Sequence, residues 1–318
     1  GGPLTTGLRS IKSPAEIALL TRAKAITLEV QRRARDWLQA GGYGDAFRDE
    51  HLVPMASALW SSPPQGILAF PARYLVQFMA NHHMLTLGTR PPWRVVTGGS
   101  ATYVEALRRR WRVQERLSSP VLAVRRDADG VELDTLRGRE RFDQVVLACH
   151  SDDALRLMQD ADARERDILG AIRYQSNDTV LHTDARLLPQ RRKAWAAWNA
   201  HVPRDPSAPC TVSYCMNLLQ GVDSPEPFVV TLNRSHAIDP ARVLRRMHYR
   251  HPVYDHAMVA AQRRRQEIQG QRRTWFAGAY WGWGFHEDGI RSARDVVDAI
   301  QALPVEAPAP AGVEPVGA

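Results

Sequence analysis

Lysine is almost missing from this chain. Of its 42 basic residues only Lys12, Lys24 and Lys193 are lysine, which leaves 39 arginines and a formal charge of +8 over 318 residues. The arginine pairs and triplets at 32–33, 108–110, 125–126, 191–192, 245–246, 263–265 and 272–273 are spread along the chain rather than gathered into one stripe. No aromatic RNA-binding signature accompanies them, so a nucleic-acid partner is not expected and most of the arginines read as solvated faces. Cysteine is equally scarce. Cys149, Cys210 and Cys215 form an odd, sparse set that argues against a disulfide framework and for a reducing compartment such as the cytoplasm. Long apolar runs are lacking, and no signal peptide pattern opens the chain. An initiator methionine is also lacking, which leads us to expect processing or an incomplete chain. The hydrophobic fraction of 44% and the charged fraction of 24% are those of an ordinary folded protein with a sizeable core.

The first third reads as helix. Ser13, Pro14 and Glu16 make a capped start for a helix expected to run to Gln39, ahead of Gly41-Gly42. A second helix is predicted over 45–60 and a third over 65–82, the third interrupted by Pro71. At Trp93 the texture changes. "WRVVTGGSATYVEAL" predicts a strand, a glycine turn at Gly98-Gly99, and a helix capped by Ser100 or Thr102. "VLAVRRDADGVELDTL" predicts a hairpin about Asp127–Gly130, with Gly130 free to take positive φ. Val145–Cys149 is continuously apolar, as in a strand buried on both faces, and a helix capped by Ser151 or Asp152 should follow. Between 174 and 249 four strand patterns, "DTVLHTD", "AWAAWNAH", "CTVSYCMNLL" and "PFVVTLN", predict an antiparallel sheet. A helix is expected over 258–269, and the Pro/Ala-rich tail 304–318 is expected to be disordered.

The densest chemistry lies in "TWFAGAYWGWGFHEDGIRSA", beginning at Thr274. A short strand delivers the chain to Gly278, where a missing side chain lets backbone approach a ligand. A helix beginning near His286–Asp288 offers free N–H groups and the positive end of its dipole. Such a helix start suits a phosphate, or the charge that develops at the N1–C2=O edge of a reduced flavin. "GWGFHE" falls short of the dinucleotide fingerprint because Glu287 stands where the third glycine belongs. His248, His251 and His256 have ligand-like spacing, but Pro252 breaks any common helix face and no carboxylate or cysteine completes a set. His82-His83, Cys149, His150, Cys210 and Cys215 read as helix-end or packing residues, and no metal site or catalytic residue is assigned.

Phe276, Ala277, Gly278, Gly284, Glu287, Ile290 and Ser292 fall in register with the C-terminal flavin-binding motif of the FAD-dependent amine oxidase / phytoene desaturase superfamily, which this chain resembles. "WRVVTGGSATYVEAL" is similar to that family's Gly-Gly segment and "FDQVVLACHSDDAL" to its buried strand near the cofactor. "LQAGGYGDAFRDEHLVPMASALWSSPP" is similar to the substrate-side helices of the bacterial NAD/FAD-binding amine-oxidase-like subgroup. The resemblance implies an α/β fold, α+β in part, with interleaved cofactor-binding segments. Segment 1–92 would be the helical part of a substrate domain, and 93–160 an FAD-binding segment. The antiparallel substrate sheet would occupy 161–272, and 273–303 would be the flavin-binding strand and helix. FAD is the implied cofactor, with Gly98, Gly99, Ala148, Gly278, Ala279, Gly284, Phe285, His286, Glu287, Asp288 and Ser292 facing it. Tyr280, Trp281 and Trp283 would wall the substrate side.

Two departures from the family pattern stand out. Ala279 occupies a position where many members have Glu, and the strand–GxGxxG–helix unit that grips the FAD pyrophosphate is not found in these 318 residues. Weak FAD binding by this chain alone is therefore expected. The implied reaction is hydride transfer from a C–N or C–C bond, with a fatty acyl or other lipid substrate in view. The alternative is a catalytically silent lipid- or partner-binding scaffold with peripheral contact to an acidic membrane.

Overall fold

The computed structural model describes residues 41–42, 44–60, 64–68, 70–84, 94–202 and 211–304. The helix expected over 13–39, Cys210 and the tail beyond 304 lie outside the described residues. In chain order the elements are α1 (Val53–Trp60), entered through a π-turn at Phe47–Leu52, α2 (Pro64–Leu68), α3 (Ala72–Asn81) and α4 (Ala101–Arg108). Strands β1 (Val121–Arg126), β2 (Val131–Thr135), β3 (Gly138–Phe142) and β4 (Val145–Leu147) follow, then α5 (Ser151–Leu157) and α6 (Ala163–Gly170). Next come β5 (Tyr174–His182), β6 (Trp198–His201), β7 (Thr211–Cys215), α7 (Met216–Gln220), β8 (Val229–Leu232) and β9 (Val243–Pro252). The last described elements are α8 (His256–Arg263), β10 (Thr274–Phe276) and α9 (His286–Gln301). None of the helices among the described residues is long and apolar enough to cross a membrane.

The chain divides into two compact units, each made of two segments. One holds residues up to Leu117 and Ile172–Ala260, the other Ser118–Ala171 and the chain from Ala261 onward. The Gly98-Gly99 turn and α4, expected within a cofactor-binding segment 93–160, group with the first unit.

In the first unit a five-stranded antiparallel sheet has the order β6-β7-β8-β5-β9. The sequence pattern anticipated four of these strands. It missed β9, because "VLRRMHYRHP" is charge-rich and sits at the sheet edge, where half of its residues are exposed and none is buried. Ala58 of α1 packs with Val212 and Leu232, whereas Val180 packs with Leu187 and Ile238. Pro71 separates α2 from α3 as expected, since its fixed φ and missing N–H prevent helical continuation. Beside the sheet, Trp60 packs against Phe70 and Phe78 with ring centroids 4.9 and 4.6 Å apart. Of the strand expected at "WRVV", the described residues 94–96 are irregular, and Val95 and Val96 are exposed.

In the second unit β1, β2 and β3 form an antiparallel meander. The β1–β2 turn is organised by Asp127, whose Oδ1 accepts from the N–H groups of Asp129 and Gly130 at 2.9 and 3.0 Å. Gly130 does not take positive φ. Glycine is needed there because a Cβ would come within 2.8 Å of the Phe142 carbonyl. The strand β4 is shorter than expected and not buried on both faces, since Val146 is 43% exposed. The helix after it starts at Ser151 with no side-chain cap.

A buried ion cluster ties this unit together. The Arg126 side chain is fully buried and forks onto Glu165, Nη1 to Oε1 at 2.5 Å and Nη2 to Oε2 at 2.9 Å. Its Nε donates to Asp160 Oδ1 at 3.0 Å, and Arg272 also pairs with Asp160. Glu165 completes a reciprocal cap with Asp162 at the start of α6. Each charge in the cluster is thereby paired, as burial requires.

In the first unit, His182 is buried, and its Nδ1 accepts from the Asp184 N–H at 3.0 Å. The ring proton therefore sits on Nε2, which donates to Thr231 Oγ1 at 2.8 Å. Burial lowers the His182 pKa to about 4, so the folded protein holds it neutral. The unfolded chain takes up this proton near the ordinary value of about 6.5, so stability is complete above that pH and is lost as pH falls toward 4. The His182 contribution to this loss is expected to reach roughly 3 kcal/mol. Urea unfolding at pH 7 and pH 4.5 should show a smaller difference for His182→Gln than for the unmodified chain; equal differences would contradict the assignment.

Candidate functional site

Strand β10 lies parallel to β4 with Thr274, Trp275 and Phe276 opposite Val145, Val146 and Leu147. The Ala277 N–H extends the pairing by donating to the Leu147 carbonyl at 3.1 Å. Both strands therefore end side by side, at Ala148 and at Ala277-Gly278, and each runs on toward a helix, α5 or α9. In open α/β sheets ligands bind outside the carboxyl ends of the strands, at the point where the strand order reverses.

The strand β10 is wholly buried. Its edge away from β4 is closed by the Gly270 N–H, which donates to the Thr274 carbonyl at 2.9 Å, and by side chains. Gln269 accepts from the Phe276 N–H through Oε1 at 2.9 Å and donates to the Phe276 carbonyl through Nε2 at 2.8 Å. The Trp281 indole N–H donates to the same carbonyl at 3.1 Å. Gln262 holds the following loop by donating to the carbonyls of Tyr280 at 2.9 Å and Gly282 at 2.7 Å. Sequence reading missed both glutamines. Their only signal is a seven-residue spacing, and glutamine carries no charge or reactive group to draw notice.

Gly278 has φ 169°, which any residue adopts. Glycine is required because a Cβ would lie 2.3 Å from the ring of Tyr280, so the close approach expected for a ligand is made by the chain itself. Likewise a Cβ on Gly282 would lie 2.3 Å from Asp288 Oδ1. Gly284 does adopt the left-handed region, at φ 91°.

Ser292 and Asp288, both read from the sequence as facing a cofactor, are buried and committed to the backbone. Ser292 Oγ accepts from the Gly278 N–H at 2.9 Å and donates to the Gly289 carbonyl at 2.8 Å. Asp288 Oδ2 accepts from the N–H groups of Trp283 and Phe285, each at 3.1 Å. A carboxylate thus neutralises part of the positive end of α9. His286 and Glu287 stand exposed at the first turn, Glu287 with Arg291 Nη2 at 3.4 Å. Tyr280 and Trp281 are buried with ring centroids 4.9 Å apart, and Trp283, Phe285 and Ala279 are half-buried. Ala148 is exposed at the end of β4. These residues belong to the second unit; Gly98 and Gly99 belong to the first, in consecutive left-handed conformations of φ 79° and 84°.

At the start of α5, His150, Asp152 and Asp153 bring potential ligand atoms within 4.8 Å of one another, a grouping the sequence reading passed over. Arg156 already pairs with Asp153 at 2.7 Å. Burial pushes the Cys149 thiol up, with Asp153 and Asp152 adding to the effect, so no reactive thiolate stands there. His248 and His251 lie in β9, His251 Nδ1 3.2 Å from Asn177 Nδ2, and His256 opens α8.

Residues 42–183 match the family model described as flavin containing amine oxidoreductase. Over that stretch, the chain carries the sequence pattern of the flavin containing amine oxidoreductases. Solved structures with the same fold include a CLA-producing fatty acid isomerase from P. acnes, with a TM-score of 0.54 at 16% identity, covering 77% of this chain and 63% of that one. A protein described as a protoporphyrinogen oxidase from Exiguobacterium sp. 255-15 gives 0.52 at 18%, covering 81% and 64%. Cyclohexylamine oxidase from Brevibacterium oxydans IH-35A gives 0.54 at 14%, covering 85% and 67%. The chain spans less than two thirds of the length of the first two. No curated protein matches it by sequence. The mixed α/β architecture with an antiparallel sheet expected from the amine oxidoreductase resemblance is the one observed.

Ser292→Ala removes the acceptor for the buried Gly278 N–H. It is expected to cost about 1–3 kcal/mol, read by urea denaturation, and to leave the β1–β3 meander folded. An unchanged midpoint would show that Ser292 does not hold the loop.

Proposed function

We propose that this chain is an FAD-dependent oxidoreductase of the amine oxidase type, with the flavin end of the cofactor received by the second unit. The observation that carries the reading is the parallel β4–β10 pair, whose adjacent carboxyl ends run on to α5 and α9. The family match over 42–183 and the shared fold support it.

The residues present fit a flavin in part. The N–H groups of His286 and Glu287 begin a 16-residue helix whose dipole favours negative charge. Ala148 stands exposed at the end of β4, whereas the Ala279 carbonyl already accepts from the N–H groups of Gly282 and Gly284 at 3.0 and 3.2 Å. Against this, the N–H groups of Trp283 and Phe285 are taken by Asp288, whose charge opposes an anion. Bound FAD would supply a hydride acceptor for a substrate C–N or C–C bond. The chain's own part is to orient the ring through the α9 start and to keep water out with the buried rings of Tyr280 and Trp281. A fatty acyl or other lipid substrate is our preferred class, supported by the likeness to the P. acnes fatty acid isomerase.

A second reading, a catalytically silent scaffold that binds lipid or a partner, draws support from Asp288 already filling the first turn of α9. Titration with FAD separates the two. The flavoenzyme reading expects a shift of the 450-nm flavin band and quenching of tryptophan emission, with binding weak enough to be lost on gel filtration. Absence of any spectral change at millimolar FAD would sink it and leave the scaffold reading.

A further inference from the structure

The aromatic cluster of the first unit holds two buried polar groups that bond to nothing. Ser57 and Trp60 lie one helical turn apart on the same side of α1, 3% and 5% exposed. Neither the Ser57 hydroxyl nor the Trp60 indole N–H makes a hydrogen bond. A helical serine ordinarily turns back onto a carbonyl one turn earlier, and buried donors are rarely left without a partner. Around Trp60 stand Phe70, Phe78 and Tyr254, at ring-centroid distances of 4.9, 4.6 and 6.3 Å. Tyr74 packs 5.6 Å from both Phe70 and Tyr254. Charge is kept away. α1 and α2 hold no ionisable residue, and Arg73 of α3 is exposed. His82 Nδ1 is 2.9 Å from the Phe78 carbonyl, and Asp255, next to Tyr254, pairs with Arg173. A second sign comes from the backbone. The π-turn Phe47–Leu52 that leads into α1 carries an extra residue, which turns the face of the following helix by about 100°. Such turns are rare and recur at functional sites.

We propose that Ser57 and Trp60 bind the carbonyl oxygen of an uncharged acyl compound, an ester or an amide, whose chain lies against the aromatic rings. A carbonyl oxygen accepts two hydrogen bonds and donates none, so it satisfies both groups and leaves no proton over. A water molecule would bring two protons of its own into an apolar cluster. A carboxylate would lie there without a cation, and an ammonium group offers no acceptor to either donor. Such a ligand narrows the lipid-substrate reading, on which its role as substrate rests, and needs no flavin in order to bind.

The test is calorimetric titration of the whole chain with octanamide, octanoate and octylammonium, which share one chain and differ in head group. Octanamide should bind, and the two ions should bind roughly tenfold more weakly or worse. Ser57→Ala and Trp60→Phe should each weaken octanamide by about tenfold. The indole N–H resonance that Trp60→Phe removes should move when octanamide is added to the unmodified chain. Because the Ser57 hydroxyl bonds to nothing within the fold, Ser57→Ala should melt no lower than the unmodified chain. A lower melting point would give that hydroxyl a partner inside the protein and overturn the proposal. So would failure to bind octanamide, equal binding of the three probes, or octanamide affinity unchanged in the variants. An indole resonance that stays in place, the mark of a bound water only, overturns it too. FAD titration tests the flavoenzyme reading separately, so the two fail independently.

Discussion

Strand β10 is three residues long and entirely buried, and its backbone must be satisfied on both edges. One edge is met by β4. The other has no strand beside it among the described residues, and the amide of Gln269 takes that place at Phe276 by accepting from its N–H and donating to its carbonyl. A buried amide left without a partner costs about 1–3 kcal/mol, so Gln269 holds the Phe276 end of this edge, as the Gly270 N–H holds the Thr274 carbonyl at 2.9 Å. The other features of the region follow. Trp281 returns to the same carbonyl, which folds the chain into a tight turn, and the turn places Gly278 where Ser292 can hold its N–H.

That arrangement gives the region a definite chemical character. The end of β10 and the chain after it are held by five side chains, Gln262, Gln269, Trp281, Asp288 and Ser292, each bonded to backbone. Two of the glycines that look like openings for a ligand are occupied by the chain's own Tyr280 and Asp288. What is left to a ligand is narrower than the motif suggests: the first-turn N–H groups of α9 and the exposed end of β4. A flavin edge that gains negative charge suits the former. The buried Asp288 carboxylate moderates the attraction, its bonds going to the N–H groups of Trp283 and Phe285 and its Oδ1 lying 3.7 Å from Arg291 Nη1.

Much of this was legible in the sequence where local chemistry decides the outcome. Pro71 stops a helix whatever surrounds it, and Asp127 with Gly130 makes the hairpin turn on its own. The strand at Thr274–Phe276 and the helix after it were visible from an apolar triplet and a run of helical periodicity. Legibility failed where neighbours decide. "WRVV" has strand composition yet finds no partner strand among the described residues, and Val146 is open on one face despite an apolar run around it. β3 and β9 were hidden because their exposed charged residues mask the strand pattern. At the site, spacing and residue type identified Ser292 and Asp288 as important but not their partners. A hydroxyl that holds a backbone amide and one that holds a cofactor read alike in sequence.

Amide hydrogen exchange at Phe276 tests the central claim most directly. With Gln269 as the surrogate for a neighbouring strand, the Phe276 N–H should exchange about as slowly as the Ala277 N–H, which is held by Leu147 of β4. In Gln269→Ala, Phe276 exchange should rise by roughly tenfold or more, as loss of a hydrogen bond worth about 1.4 kcal/mol or above implies. Ala277 should remain protected. Rapid exchange at Phe276 in the unmodified chain, or protection unaltered by Gln269→Ala, would show that the outer edge of β10 is closed by something else.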